Sequence, residues 1–157
     1  MESQLVDAWH MSNEANLFLL DSLPAAYLKD SYAPRTRTVA AQFAHIHNVR
    51  VRWLTYADRK VVGDAKGFPR GSQPTKTQLK KALQLSEKIV TRFLEKCESS
   101  GAVKNWNGPP ATFLGYLIAH EAHHRGLALA AVRSSGHKLP KEVIYGLWDW
   151  GKKSSLR

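Results

Sequence analysis

Seven histidines occur in this chain, and five of them fall into two groups: His45 with His47, and His120 with His123 and His124. Neutral imidazole is a common ligand for zinc, nickel, copper and iron. The second group lies in ATFLGYLIAHEAHHRGLALAAV, residues 111–132. Residues four apart on a helix differ by about 40° in direction and about 6 Å along the axis, so His120 and His124 face the same way. Phe113 and Leu127 lie seven residues either side of His120, and Leu117 and Ala131 seven either side of His124. This spacing predicts both imidazoles in the middle of an apolar stripe, with His123 at its edge and Glu121 and Arg125 off it.

Two imidazoles side by side on an apolar face need compensation for their polar nitrogens. They can be core residues hydrogen-bonded to neighbours, or they can share a metal ion. The centred pair, with more histidine on another helix, favours the metal. His45 or His47 is then the third ligand. They point about 160° apart on a helix and flank its apolar stripe on opposite sides. The residues alone leave both open, and the unused one is expected at the surface or beside the site. Three protein ligands leave a coordination position open, as catalytic sites do. A bound water or thiol there loses its proton near neutral pH. The run HEAHH, residues 120–124, also matches the H-E-x-x-H motif of zinc proteases, in which the Glu is the general base. Such proteases usually bring a sheet and a further ligand downstream. No strand pattern precedes this helix and only some thirty residues follow it. The protease reading is set aside, with Glu121 kept as a candidate carboxylate near the site.

Helical patterns run over roughly 4–23, 36–57, 75–99 and 109–135. The first carries Leu5, Val6, Trp9, Leu17, Leu20 and Leu23, and the second Val39, Phe43, Ile46, Val49, Trp53 and Leu54. Thr75 or Thr77 caps the third helix and Gly101 ends it. Pro109 and Pro110 suit the first positions of the fourth, where a missing N–H is harmless. Residues 58–75, with three glycines and two prolines, read as the longest loop. The tail PKEVIYGLWDWG predicts a short helix that packs back, with Trp148 and Trp150 favoured as core or cap residues over exposed residues of a dimer interface. The fold class is therefore all-α: an antiparallel four-helix bundle with a short C-terminal helix or cap, as one domain over residues 1–157.

Composition narrows the function. With 157 residues, 43% hydrophobic and 23% charged, the chain is of ordinary globular make-up. The single cysteine, Cys97, excludes an internal disulfide and any multi-cysteine metal site. No apolar run approaches the roughly 20 residues that span a bilayer, so no membrane partner is expected. The N-terminus lacks the features of a signal peptide, and a cytoplasmic location is expected. The net charge of +10 raises the question of nucleic acid. The Lys and Arg are dispersed, and neither a helix-turn-helix signature nor an aromatic single-strand platform is present. A solvated basic surface is the favoured reading, with anionic small molecules or a polyanion next.

Three stretches carry a resemblance. GYLIAHEAHHRG, residues 115–126, has an H-x-x-x-H-R-G ending. AAQFAHIHNVRVRWL, residues 40–54, is a His-containing helix with Trp53 eight residues after His45. The first helix has Trp9, Asn13 and Asn16. In this order they resemble the DinB/YfiT-like family of metalloenzymes over nearly the whole chain. The resemblance implies a four-helix bundle, often dimeric, with a metal held by one histidine of the second helix and two of the fourth. Carried over by motif, these are His45, His120 and His124. The expected cofactor is a divalent metal ion, zinc or nickel. Characterised relatives include thiol-S-transferases that use bacillithiol, mycothiol or glutathione, and a mycothiol-dependent isomerase, so a low-molecular-weight thiol is a second expected cofactor. The family often has Gln after the R-G pair, where this chain has Leu127. The reading is thus a metal-dependent S-transferase or hydrolase acting as a homodimer on a small molecule, with its catalytic residues unassigned. The alternatives are a non-catalytic metal-binding or stress-response module with weak nucleic-acid binding through the basic surface, and a bundle defined mainly by its dimer interface.

Overall fold

The computed structural model describes residues 3–152. Five α-helices span the described residues: α1 (Gln4–Ser22), α2 (Val39–Val62), α3 (Lys76–Ser100), α4 (Pro110–Ser134) and a short α5 (Lys141–Gly146). Single 3-10 turns follow α1 at Ala25–Lys29 and close the described chain at Trp150–Lys152. Helix starts follow local chemistry. Ser3, Thr38 and Thr75 each accept a backbone N–H of the first turn, and Thr75 with Gln78 forms a reciprocal capping box. Gly101, in the left-handed region at φ 69°, ends α3. Among the described residues no helix is long and apolar enough to cross a membrane.

The four long helices bury one face each. α2 packs on α3 and α4, and α1 packs on the same two, so α1 and α2 sit on opposite corners. Cross-helix bonds give the directions. Trp9 and His10 meet Glu87 and Thr91, while Asp21 meets Lys80, so α1 and α3 are antiparallel. Gln42 meets His124 and Trp53 meets Tyr116, so α2 and α4 are antiparallel. Arg50 meets Ser86 and Asp58 meets Lys96, so the adjacent α2 and α3 run the same way. The chain therefore runs up, down, down, up.

That order needs a long return between α2 and α3. Residues 63–75 supply it: thirteen residues at about 3.3 Å each can retrace the roughly 36 Å of a 24-residue helix. The return is pinned along α2. His47 Nε2 lies 3.0 Å from the Lys66 carbonyl oxygen. Asn48 donates to the Phe68 carbonyl at 3.0 Å and accepts the Phe68 N–H at 2.7 Å. The stretch that reads as a loop from its glycines and prolines is thus an anchored strap, and α2 itself runs on to Val62 past a kink at Asp58 (φ −154°, ψ 88°).

The core falls into two apolar halves, one around Leu20, Phe43 and Leu83, the other around Trp9, Phe93 and Phe113. Burial of each such side chain contributes about 1.5–3 kcal/mol. Between the halves lies a buried polar layer. Arg50, fully buried, donates to Glu121 through Nε at 2.7 Å and through its terminal nitrogen at 2.8 Å. It also donates to Asn13, Ser86 and the Leu83 carbonyl, and its guanidinium stacks 4.5 Å from the Trp9 ring centre. Asn16 donates to Glu121 at 2.7 Å and accepts from Arg125 at 2.7 Å.

This layer corrects the expected face of α4. Glu121 and Arg125 are buried rather than off the core, and His120 sits at the edge of the buried face rather than at its centre. Hydropathy places a Glu and an Arg outside; their partners on α1 and α2 bring them in. Trp148, expected in the core or as a cap, is 79% exposed. It follows α5, which is too short to seat it, and its neighbour Leu147 takes the buried place.

Candidate metal centre

Antiparallel packing of α2 on α4 brings His45 against His120 and His124. One potential ligand nitrogen from each lies within 4.8 Å of the others. The ring centres are 4.4 Å apart for His45–His124 and His120–His124, and 5.2 Å for His45–His120. His124 is buried, and the other two are partly exposed.

Gln42, one turn before His45 on α2, sets the orientation of His124. Its Oε1 lies 2.7 Å from His124 Nδ1 and can only accept, so the proton of the neutral ring sits on Nδ1. The Nε2 lone pair of His124 then points at Nε2 of His120, 3.1 Å away. One proton between those two nitrogens would serve only that pair. His45 has no hydrogen bond among the described residues, and its ring contacts are His120 and His124. A cation between the rings would accept all three lone pairs, and 3.1 Å is close to the ~3.3 Å separating two nitrogens on a tetrahedral zinc ion. The three imidazoles, with Gln42 accepting the His124 Nδ1 proton behind them, thus fit a divalent metal.

Electrostatics keep the rings neutral. Burial, then the Arg37, His120 and Arg52 charges, lower the His45 pKa to about 4. Burial, then His120 and His45, lower His124 to about 3. Burial lowers His120 as well, opposed by Glu121. Neutral imidazoles are the ligating form.

The neighbours differ on the two sides. Toward α4's start, Tyr116 stacks on His120 with ring centres 6.0 Å apart and accepts from Trp53 Nε1 at 3.1 Å. Trp106 and Phe113 extend this aromatic wall. On the other side His45 and Gln42 open into a cleft of about 1030 Å³, between the start of α2 and the 68–73 part of the strap.

His47 stands apart from the cluster. It is buried, against the expectation of a surface or site-side residue, because it anchors the strap at Lys66 and packs on Phe68. His123 is exposed and touches only the edge of His124 among the rings. Glu121 is occupied by Arg50 and Asn16 in the core, which removes the free carboxylate that the protease motif requires. Gln42 and Tyr116 were not singled out from the sequence. Gln42 had a signal, as a polar residue three positions before His45 on one helix face; Tyr116, four before His120, had the same kind of spacing.

A helical bundle with three convergent histidines beside an open cleft defines a class of bundle suited to metal binding. Residues 1–150 match the model of the DinB family, and the chain belongs to that family. Its fold is similar to the crystal structure of a DinB-like protein from Bacillus cereus, with a TM-score of 0.57 and 24% sequence identity, over 87% of this chain and 93% of that one. A search of curated proteins finds no match.

Proposed function

We propose that His45, His120 and His124 hold a divalent metal ion, zinc or nickel, and that the protein is a metal-dependent enzyme acting on a small molecule, by thiol-dependent S-transfer or by hydrolysis. The observation that carries this reading is the aim of the His124 Nε2 lone pair, fixed by Gln42, at the other two rings. When bound, the metal supplies Lewis acidity that lowers the pKa of a thiol or water in its open position. The chain's own residues prepare that position. Gln42 fixes the tautomer of His124, Tyr116 packs on His120, and the cleft beside His45 gives access from solvent. Arg37 and Arg52 add positive charge that favours an anionic nucleophile there.

The proposal includes a cytoplasmic homodimer, and exposed Tyr145 and Trp148 offer apolar surface for the contact. Metal-loaded protein incubated with bacillithiol, mycothiol or glutathione and a panel of electrophiles should give thiol consumption that stops on chelation. Metal-bound protein with no turnover across thiols and hydrolysable esters and amides would contradict the enzymatic reading while leaving the metal site standing.

A further inference from the structure

The cleft beside His45 has an unusual lining. Among the described residues it holds Arg35, Arg37, Arg52 and Arg70 and no aspartate, glutamate or lysine. The chain has ten arginines and thirteen lysines, and four of the ten arginines gather at this one cleft, which among the described residues takes no lysine. Among the described residues none of the four pairs with a carboxylate, although Arg50, Lys80, Lys96 and Lys152 each do. Unpaired like charges round one depression repel one another, and an anion relieves that repulsion. Arginine's planar fork binds carboxylate and phosphate through two parallel hydrogen bonds, which lysine cannot do.

The four come from three separate segments. Arg35 and Arg37 precede α2, Arg52 lies about three and a half turns along it, and Arg70 is carried by the strap. The strap's position is set by Asn48, which binds the Phe68 backbone in both directions. A cleft built from three segments, with its strap held by half-buried Asn48 and buried His47, differs from a basic run along one exposed helix. Its volume of about 1030 Å³ suits a small molecule.

We infer that this cleft is the substrate subsite for the anionic group of a small carboxylate- or phosphate-bearing molecule, held by Arg37 and Arg52 with Arg35 and Arg70 at its sides, so that the reacting end of that molecule lies at the three histidines. The placement of the reacting end rests on the proposed metal site; the anion binding does not.

The test is calorimetric titration of the full chain with inorganic phosphate and, separately, with succinate, at low and at moderate salt. Saturable binding to at least one is expected, weakening as salt rises. Arg37→Gln and Arg52→Gln should each raise the dissociation constant about tenfold, the effect of losing one charged donor. Arg92→Gln, on the exposed face of α3, should leave it unchanged. The preferred probe separates a phosphate from a carboxylate substrate. His45→Ala should still bind the anion, so loss of the metal reading would not remove this result. Absence of binding to both probes, or equal weakening by Arg92→Gln, would overturn the inference. So would retention of a single-stranded oligonucleotide, sensitive to Arg37 and Arg52, with no small-anion binding.

Discussion

Replacing Glu121 with Gln separates a structural carboxylate from a catalytic one. Glu121 is 1% exposed and accepts three hydrogen bonds, two from Arg50 and one from Asn16. The amide keeps the shape but loses the charge, and its NH2 group faces a donor of Arg50 or Asn16. Arg50, fully buried, is then left without its counter-ion, and Arg125 nearby loses the negative charge that offsets its own burial. Breaking a buried pair by removing one partner costs about 3–5 kcal/mol. With a urea slope of about 2 kcal/mol/M for a small domain, the midpoint should fall by about 2 M. Urea unfolding followed by far-UV circular dichroism measures this, alongside metal content of the folded variant at low urea. The expected result is a large loss of stability with metal still bound. A Glu121→Gln variant as stable as the wild type would refute the reasoning, and if it also lost a hydrolytic activity, Glu121 would be the general base that the HEAHH motif suggests.

Gln42→Ala frees the ring of His124 and should weaken metal binding about 10- to 100-fold, read by competition with a chromophoric chelator, with little change in fold. His47→Ala should leave metal content unchanged but release the strap, so amide exchange at Phe68 should accelerate while that of α4 stays slow. The metal-free protein should lose stability as pH falls from 6.5 toward 4. His45 and His124 have folded-state pKa values of about 4 and 3 against 6.5 unfolded, so the unfolded chain takes up protons first in that window. His124→Asn should flatten the decline between pH 6.5 and 5, where ordinary carboxylates do not titrate; an unchanged decline would count against the neutral cluster.

Much of the fold is legible in the residues because helix periodicity and capping are local. The spans near 4–23, 75–99 and 109–135 fall within a few residues of α1, α3 and α4, and Thr75 and Gly101 bound α3 by their own chemistry. The pairing of His120 with His124 is legible from their spacing, while His45 rather than His47 as their neighbour follows only from the family resemblance. What local pattern cannot carry is pairing across the bundle. Glu121 reads as solvated until Arg50 and Asn16, 71 and 105 residues away, are brought to it. His47 reads as a spare histidine until the strap folds back over α2. Trp148 reads as core by size, but its burial depends on whether the last short helix offers a surface to cover it. The arginine cleft is likewise invisible along the chain, since Arg37, Arg52 and Arg70 are separated by one helix and one strap.

The most direct test of the central claim is metal content by mass spectrometry of the tag-free protein, wild type beside His45→Ala, His120→Ala and His47→Ala. The account predicts near one zinc or nickel ion per chain in the wild type and in His47→Ala, and loss of it in the other two. A wild type without metal after reloading, or one that loses it with His47 and keeps it without His45, would contradict the account.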